Sequence, residues 1–296
     1  MEKQKKAYIL GIAAVLIWST VASAFKVTLG YMDPWTMVVL ASIVSTATLF
    51  LILIIQGKFP MLLSLGRKRT LKAMIGGALN PFLYYIVLFW TYDLLKAQEA
   101  QPLNYTWPII LTILSMIFLK QRIRKLSIIA ILISFAGIVV ISFRVGLFST
   151  GEISHSGVAL GLFSAVIWAV YWTISLKDRT DGTVKLFLNF LFGTILVTVF
   201  VLGTNGIRVG GVEGLVSAAY VGVFEMGLTF ILWLKALEIS ESTSKISNLI
   251  YLSPFVSLFL IAIVVGEAIM LTTVIGLILI MAGVVLQRVD DKRKFS

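Results

Sequence analysis

Ten apolar runs follow one another along the chain, at approximately 7–29, 33–55, 71–93, 98–119, 126–143, 155–176, 184–204, 212–235, 244–265 and 269–287. A helix of roughly 20 such residues crosses the hydrocarbon core of a bilayer. Polar positions collect between the runs, and the longest interruptions, near 56–69, 144–155 and 177–185, leave no room for a soluble domain. The pattern predicts an all-α integral membrane protein of ten transmembrane helices. The first run is too long for the core of a signal peptide and lacks a convincing cleavage site, so it is read as a retained span.

The runs repeat. An offset of 146 pairs Ala73 with Ala219, Gly76 with Gly222, Tyr105 with Tyr251, Pro108 with Pro254 and Gly137 with Gly283; upstream, an offset of 150 pairs Gly11 with Gly161 and Trp18 with Trp168. A four-residue length change reconciles the two registers. The expected division is 1–146 and 147–296, with five spans in each half. Five is odd, so the second copy enters the membrane inverted relative to the first, the construction typical of secondary transporters.

Charge fixes the orientation. Charged residues make up 13% of the 296 residues and hydrophobic ones 59%, whereas soluble domains carry about 25% charged residues. With the N terminus in the cytoplasm, only Lys26, Lys96, Arg144 and Arg208 of the 25 lysines and arginines fall on the outer side. The positive-inside rule then puts both termini in the cytoplasm, in a multi-pass protein of the cell (inner) membrane. The net charge of +11 is explained this way without nucleic acid. There is no cysteine, hence no disulfide framework.

Several residues do not suit lipid. Tryptophan gathers at membrane interfaces, and Trp35, Trp90 and Trp233, near span ends, fit there. Trp18, Trp107 and Trp168 lie mid-span. Trp168, Tyr171 and Trp172 share a helix face, which reads either as the wall of a ligand cavity or as helix packing. Asn104-Tyr105-Thr106-Trp107-Pro108 places hydrogen-bonding groups and a helix breaker inside a span, and Ile250-Tyr251-Leu252-Ser253-Pro254 is its weaker copy. Asn80-Pro81 is a third break, with Tyr84 and Tyr85 one turn on. Interruptions at matching places in two halves point to a transporter's binding site, so Pro81, Pro108 and Pro254 are candidate hinges. Glu225 lies mid-span between Gly222 and Gly227. An intramembrane carboxylate is a functional candidate by default; it can bind a substrate amine, carry a proton or simply hydrogen-bond a neighbouring helix. Lys26, Glu99 and Glu267 read as interfacial.

The chain has no phosphate loop, no H-E-x-x-H, no metal-ligand cluster and one histidine, His155, at a membrane edge, so the expectation is no enzyme activity, no cofactor and no metal. In Ala13-Ala14-Val15-Leu16-Ile17-Trp18, Ser164-Ala165-Val166-Ile167-Trp168, Ala236-Leu237-Glu238, Leu252-Ser253-Pro254, Gly266-Glu267 and Ala282-Gly283-Val284, taken in order, the chain resembles the EamA family of the drug/metabolite transporter (DMT) superfamily. The first half has Lys120-Gln121 where the family motif has Gly-Glu. Within the family, Leu103–Pro108 and Ile167–Trp172 look most like the bacterial aromatic amino-acid exporters (the YddG type).

That resemblance implies export of small organic metabolites, aromatic amino acids foremost, by alternating access through a midplane cavity. The expected substrate-binding residues are Trp18, Tyr84, Asn104, Tyr105 and Trp107 from the first half. Trp168, Tyr171, Trp172, Glu225 and Tyr251 are those from the second. The expected partners are a small-molecule substrate and the lipid bilayer, with a monomer as the working unit. Other substrates, such as a drug-like cation or a nucleotide sugar, and a membrane-embedded enzyme or receptor, are the alternatives.

Overall fold

The computed structural model describes residues 2–107, 109–110, 113–114, 125–143, 154–176, 178–204, 206–240, 246 and 249–292. Among them every regular element is helical. Helix α1 is Glu2–Leu29, α2 Pro34–Ile55, α3 a short Phe59–Leu63, α4 Arg67–Gly77, α5 Tyr84–Leu94 and α6 Ala97–Asn104. Then come α7 (Lys125–Phe143), α8 (His155–Leu176), α9 (Gly182–Thr204), α10 (Val212–Tyr220), α11 (Thr229–Ile239), α12 (Ser253–Leu260) and α13 (Leu271–Lys292). Wide π-helical turns join α4 to α5 (Ala78–Leu83) and α10 to α11 (Val221–Leu228), so each pair makes one continuous, interrupted rod.

Among the described residues six stretches are long and apolar enough to cross a membrane: Glu2–Leu29, Pro34–Ile55, Arg67–Leu94, His155–Ser175, Gly182–Thr204 and Val212–Ile239. Shorter apolar helices cover Ile128–Val140, Ser253–Val265 and Leu271–Leu286. The outer surface carries large aliphatic side chains; Ile263 is 80% and Val199 67% exposed. In water such a surface would aggregate; in lipid it is the solvated face. The protein is a multi-pass membrane protein.

Helix ends follow local chemistry. Asp33 caps α2, its Oδ1 accepting the Trp35 and Thr36 amides at 2.9 and 3.0 Å, and Pro34 supplies the fixed φ favoured in a first turn. At the other end Gly57 takes φ +67°, and the Lys58 and Gly57 amides return to the carbonyls of Leu53 and Ile54 at 3.0 and 2.8 Å. This is a Schellman ending, which needs a left-handed residue where glycine stands. Lys58 then pairs with Asp181 at 2.8 Å, just ahead of α9. Burial alone would raise the Asp181 carboxyl, but the Lys58 ammonium and the Val184 and Thr183 amides hold it below the usual carboxylate range.

Helix packing is reciprocal. α1 lies on α11 and α8 on α5; α1 lies on α12 and α8 on α6; α2 meets the 221–228 turn and α9 meets the 78–83 turn. α2 pairs with α9 and α7 with α13. Thr46 and Thr194 share a 2.8 Å hydrogen bond across the α2–α9 contact. Ser134 Oγ donates to the Ile280 carbonyl, 146 residues away, at 3.2 Å across the α7–α13 contact.

Close approach depends on glycine. A β-carbon on Gly77 would sit 2.5 Å from the Asn189 carbonyl oxygen and 2.7 Å from the Gly193 nitrogen. Both obstacles are backbone, so α4 and α9 would have to separate. Gly77→Ala is expected to cost about 1–3 kcal/mol, the range for overpacking, and to lower the melting temperature of the detergent-solubilised protein by several degrees. Gly203→Ala, with nothing within 4 Å of the new carbon, is the control that leaves it unchanged or raised.

Candidate functional site

The two interrupted rods bring polar groups to the middle of the bundle. Asn80 breaks the first, with φ −146° and ψ 114° inside an otherwise helical stretch. Pro81 follows it and lacks the amide proton needed to continue the ladder. The next turn presents Tyr84 and Tyr85, both buried. The second rod widens at Val221–Leu228, where Glu225 projects inward and is only 8% exposed. Thr229 Oγ1 donates back to the Phe224 carbonyl, satisfying a backbone group that the wide turn frees.

Two hydrogen-bonded chains run from these breaks. Tyr85 Oη donates to Glu225 Oε1 at 3.2 Å, and the Trp18 indole approaches the same carboxyl group. Glu225 Oε2 is buried with no hydrogen-bond partner. Tyr84 Oη donates to Asn104 Oδ1 at 3.3 Å, Asn104 Nδ2 donates to Ser164 Oγ at 2.9 Å, and Ser164 Oγ donates to the Gly161 carbonyl at 2.6 Å. The Asn104 carboxamide thus clamps α5 to α8 through α6, and each of its ends is engaged once. On the far side Tyr171 and the Asn189 carboxamide lie 3.2 Å apart. With its oxygen facing Tyr171, the Asn189 nitrogen donates to the Lys185 and Ala73 carbonyls at 3.2 and 3.3 Å. The buried Asn80 carboxamide lies beside Tyr171 without a well-formed bond to it.

Aromatic rings enclose these chains. Trp168 is the hub: it stacks on Tyr84 at 4.5 Å and on Tyr171 at 5.5 Å, and meets Trp172 edge-on at 5.9 Å. Phe230 bridges Trp168 (5.8 Å) to Trp18 (5.9 Å), and Trp18 meets Trp233 at 5.3 Å. Offset-stacked and edge-to-face rings at these separations attract. The rings belong to the main apolar core, Trp168, Tyr84 and Tyr171 all being buried in it.

Of the expected site residues, Trp18, Tyr84, Asn104, Trp168, Tyr171, Trp172 and Glu225 therefore fall in one connected region. Tyr105 lies in the turn after α6 and fronts Ser253 of α12, which also hydrogen-bonds Ser19 at 3.4 Å. Trp107 is half-buried against the same core. Pro108 and the Tyr251 side chain lie outside the described residues. Pro81 sits in the first break, and Pro254 opens α12 after the 3₁₀ turn Leu249–Leu252. Trp233, read as an interfacial residue, is instead 7% exposed and packed on Trp18. Sequence reasoning missed Phe230, Ser164 and Asn189. Ser164 sits inside the Ser164–Trp168 motif, and Phe230 shares a helix face with Trp233; these are the signals that mark them.

A separate groove of about 270 Å³ between α1, α10 and the end of α12 is lined by Thr20, Ser23, Tyr220 and Leu260 among others. Thr20 and Tyr220 hydrogen-bond across it at 2.7 Å, and it opens beside the exposed Val264.

Helices that expose aliphatic residues outward and hold hydrogen-bonded polar groups at two interruptions inside define a polytopic membrane protein with a buried polar cluster. The family model of the EamA-like transporter family matches residues 5–143 and again 155–288. The chain belongs to this family. An uncharacterized transporter of Clostridium kluyveri is 23% identical over 98% of this chain and 95% of its own. The aromatic amino acid exporter YddG of Ancylobacter novellus is 24% identical over 78% of this chain and 79% of its own. A crystal structure with TM-score 0.69 and 22% identity covers 99% of this chain and 100% of that one; it shares the fold. The protein is a transporter of the EamA family in the DMT superfamily.

Proposed function

We propose that the protein is a secondary transporter that exports small organic metabolites, with aromatic amino acids as the lead class. The working unit is ten transmembrane helices in two inverted halves, 1–146 and 147–296, with both termini cytoplasmic. The two separate matches of the family model support that division, as do the reciprocal helix contacts and the Ser134–Ile280 bond between repeat-equivalent residues. The breaks at Ala78–Leu83 and Val221–Leu228 occupy nearly matching places in the repeat and supply the flexible points around which the halves rock. The observation that carries the substrate class is the ring system around Trp168, a continuous aromatic surface bordered by Asn104 and Glu225. The similarity to an exporter of aromatic amino acids supports the same reading.

The test is flux of a radiolabelled solute panel in proteoliposomes containing the full chain. Saturable movement of tryptophan or phenylalanine is the expected result, falling about tenfold or more in Trp107→Ala, the scale of one aromatic contact in a dry site. Flux of other solutes without any amino acid would sink the substrate class and leave the transporter standing.

A further inference from the structure

Glu225 Oε1 accepts from the Tyr85 hydroxyl, whereas Oε2 is buried without a hydrogen-bond partner, with the Trp18 indole beside the same carboxyl group. The other titratable groups that feel this carboxyl are the tyrosines Tyr84, Tyr85, Tyr92 and Tyr105. Among the described residues no lysine or arginine acts on it. Lys26, eight residues beyond Trp18 on α1 and so roughly 12 Å further along the axis, has Glu267, Asp93 and Glu99 as its electrostatic neighbours. Around Glu225 the described interior thus offers aromatic rings and no basic side chain to answer a ligand's own carboxylate.

We propose that Glu225 Oε2 is the docking point for the ammonium group of the transported solute, and that the site prefers net monocations, aromatic or branched apolar amines, over the corresponding zwitterionic amino acids. This rests on the transporter reading of the same site and reorders its solutes, placing amines ahead of the amino acids named there. An ammonium brought to Oε2 gains a charge-assisted hydrogen bond in a dry surround. The Trp18 ring beside the carboxyl group, itself packed on Phe230 and Trp233 at 5.9 and 5.3 Å, adds cation–π attraction of the kind that strengthens when water is excluded. A primary amine is therefore fully paired. An amino acid gains the same ion pair but must also bury a carboxylate with no cationic partner, and an uncompensated buried charge is costly.

Calorimetric titration of the full-length protein in detergent with 2-phenylethylamine, phenylalaninamide and phenylalanine tests the idea. The two monocations are expected to bind about tenfold or more tighter than phenylalanine, the scale of one added charge pair. Glu225→Gln is expected to erase that preference; Glu225→Asp keeps it in part. Should Glu225→Gln fold poorly, Glu225→Asp, which draws the carboxylate back by one methylene, is the second variant: a preference smaller than the native one is expected, and an unchanged one overturns the proposal. Phenylalanine binding as tightly as the amines overturns the proposal, as does an undiminished preference in a folded Glu225→Gln protein or no binding of any of the three. Flux of amino acids in proteoliposomes alongside any of those outcomes leaves the transporter reading intact, so the two fail separately.

Discussion

Replacing Trp168 with alanine is expected to abolish saturable transport and to destabilise the protein by about 3–5 kcal/mol, the range for truncating a large buried aromatic side chain. The ring contacts Tyr84, Tyr171, Trp172 and Phe230 at once, so its loss opens a cavity that four further rings line. Each lost pair adds about 0.5–1.5 kcal/mol beyond the area term. The hydrogen-bonded chains suffer too. Tyr84 is held in place by stacking on Trp168, by its edge contact with Tyr85 at 4.9 Å and by its 3.3 Å bond to Asn104; the first of these three restraints is lost. Trp168→Phe, which keeps a ring but not its reach, is expected to recover most of the stability and a fraction of the flux. Thermal melts in detergent and initial rates in proteoliposomes check both halves of the expectation. A Trp168→Ala protein that melts like the native one and still transports would mean that the stack is neither a core element nor a substrate wall.

The mid-span tryptophans were legible because lipid penalises them for a stated reason: an indole N–H wants the interface. Trp18 and Trp168, out of place by depth, fall in the ring cluster. Glu225 was legible for the stronger reason that a carboxyl group in hydrocarbon needs a partner. Asn80-Pro81 announced its break because proline cannot continue the helical ladder. The matching break at Val221–Leu228 contains no proline. Gly222 and Gly227 are its outward sign, and glycines serve equally for close packing, as Gly222 does against the Ala41 carbonyl. Trp233 was misplaced because distance along a span says nothing about which neighbour a face meets. Its depth suits an interface, while its azimuth puts it on Trp18. The Asn104–Ser164 bond joins residues 60 apart, and no local pattern encodes such a pairing.

Bridging the outer ends of α6 and α13 is expected to stop transport reversibly. The first amides of a helix lack internal acceptors. For α6 the Glu267 carboxylate supplies them, accepting from Ala97 N at 2.8 Å and Gln98 N at 3.3 Å. Gln98 answers by donating to the Ala268 carbonyl at 2.8 Å and accepting from Met270 N at 2.9 Å. A negative charge at a helix N terminus contributes up to about 2 kcal/mol when partly buried, so this clasp is a strong tie between the two proposed halves on the side proposed as outer. The repeat places Gln121 where Glu267 stands, 146 residues earlier. Gln121 lies outside the described residues. Under the proposed alternating access the clasp has to open once per cycle. The chain contains no cysteine, so Lys96→Cys with Ala268→Cys, both exposed positions, can be joined by a short bis-methanethiosulfonate linker without background. Flux should stop in the bridged protein and return with dithiothreitol. In Glu267→Gln, a single cysteine at position 96 should react faster with a water-soluble thiol reagent, because the outer ends part more often. Full transport through the bridged protein would show that these ends never separate, and would move the opening to another pair of helices.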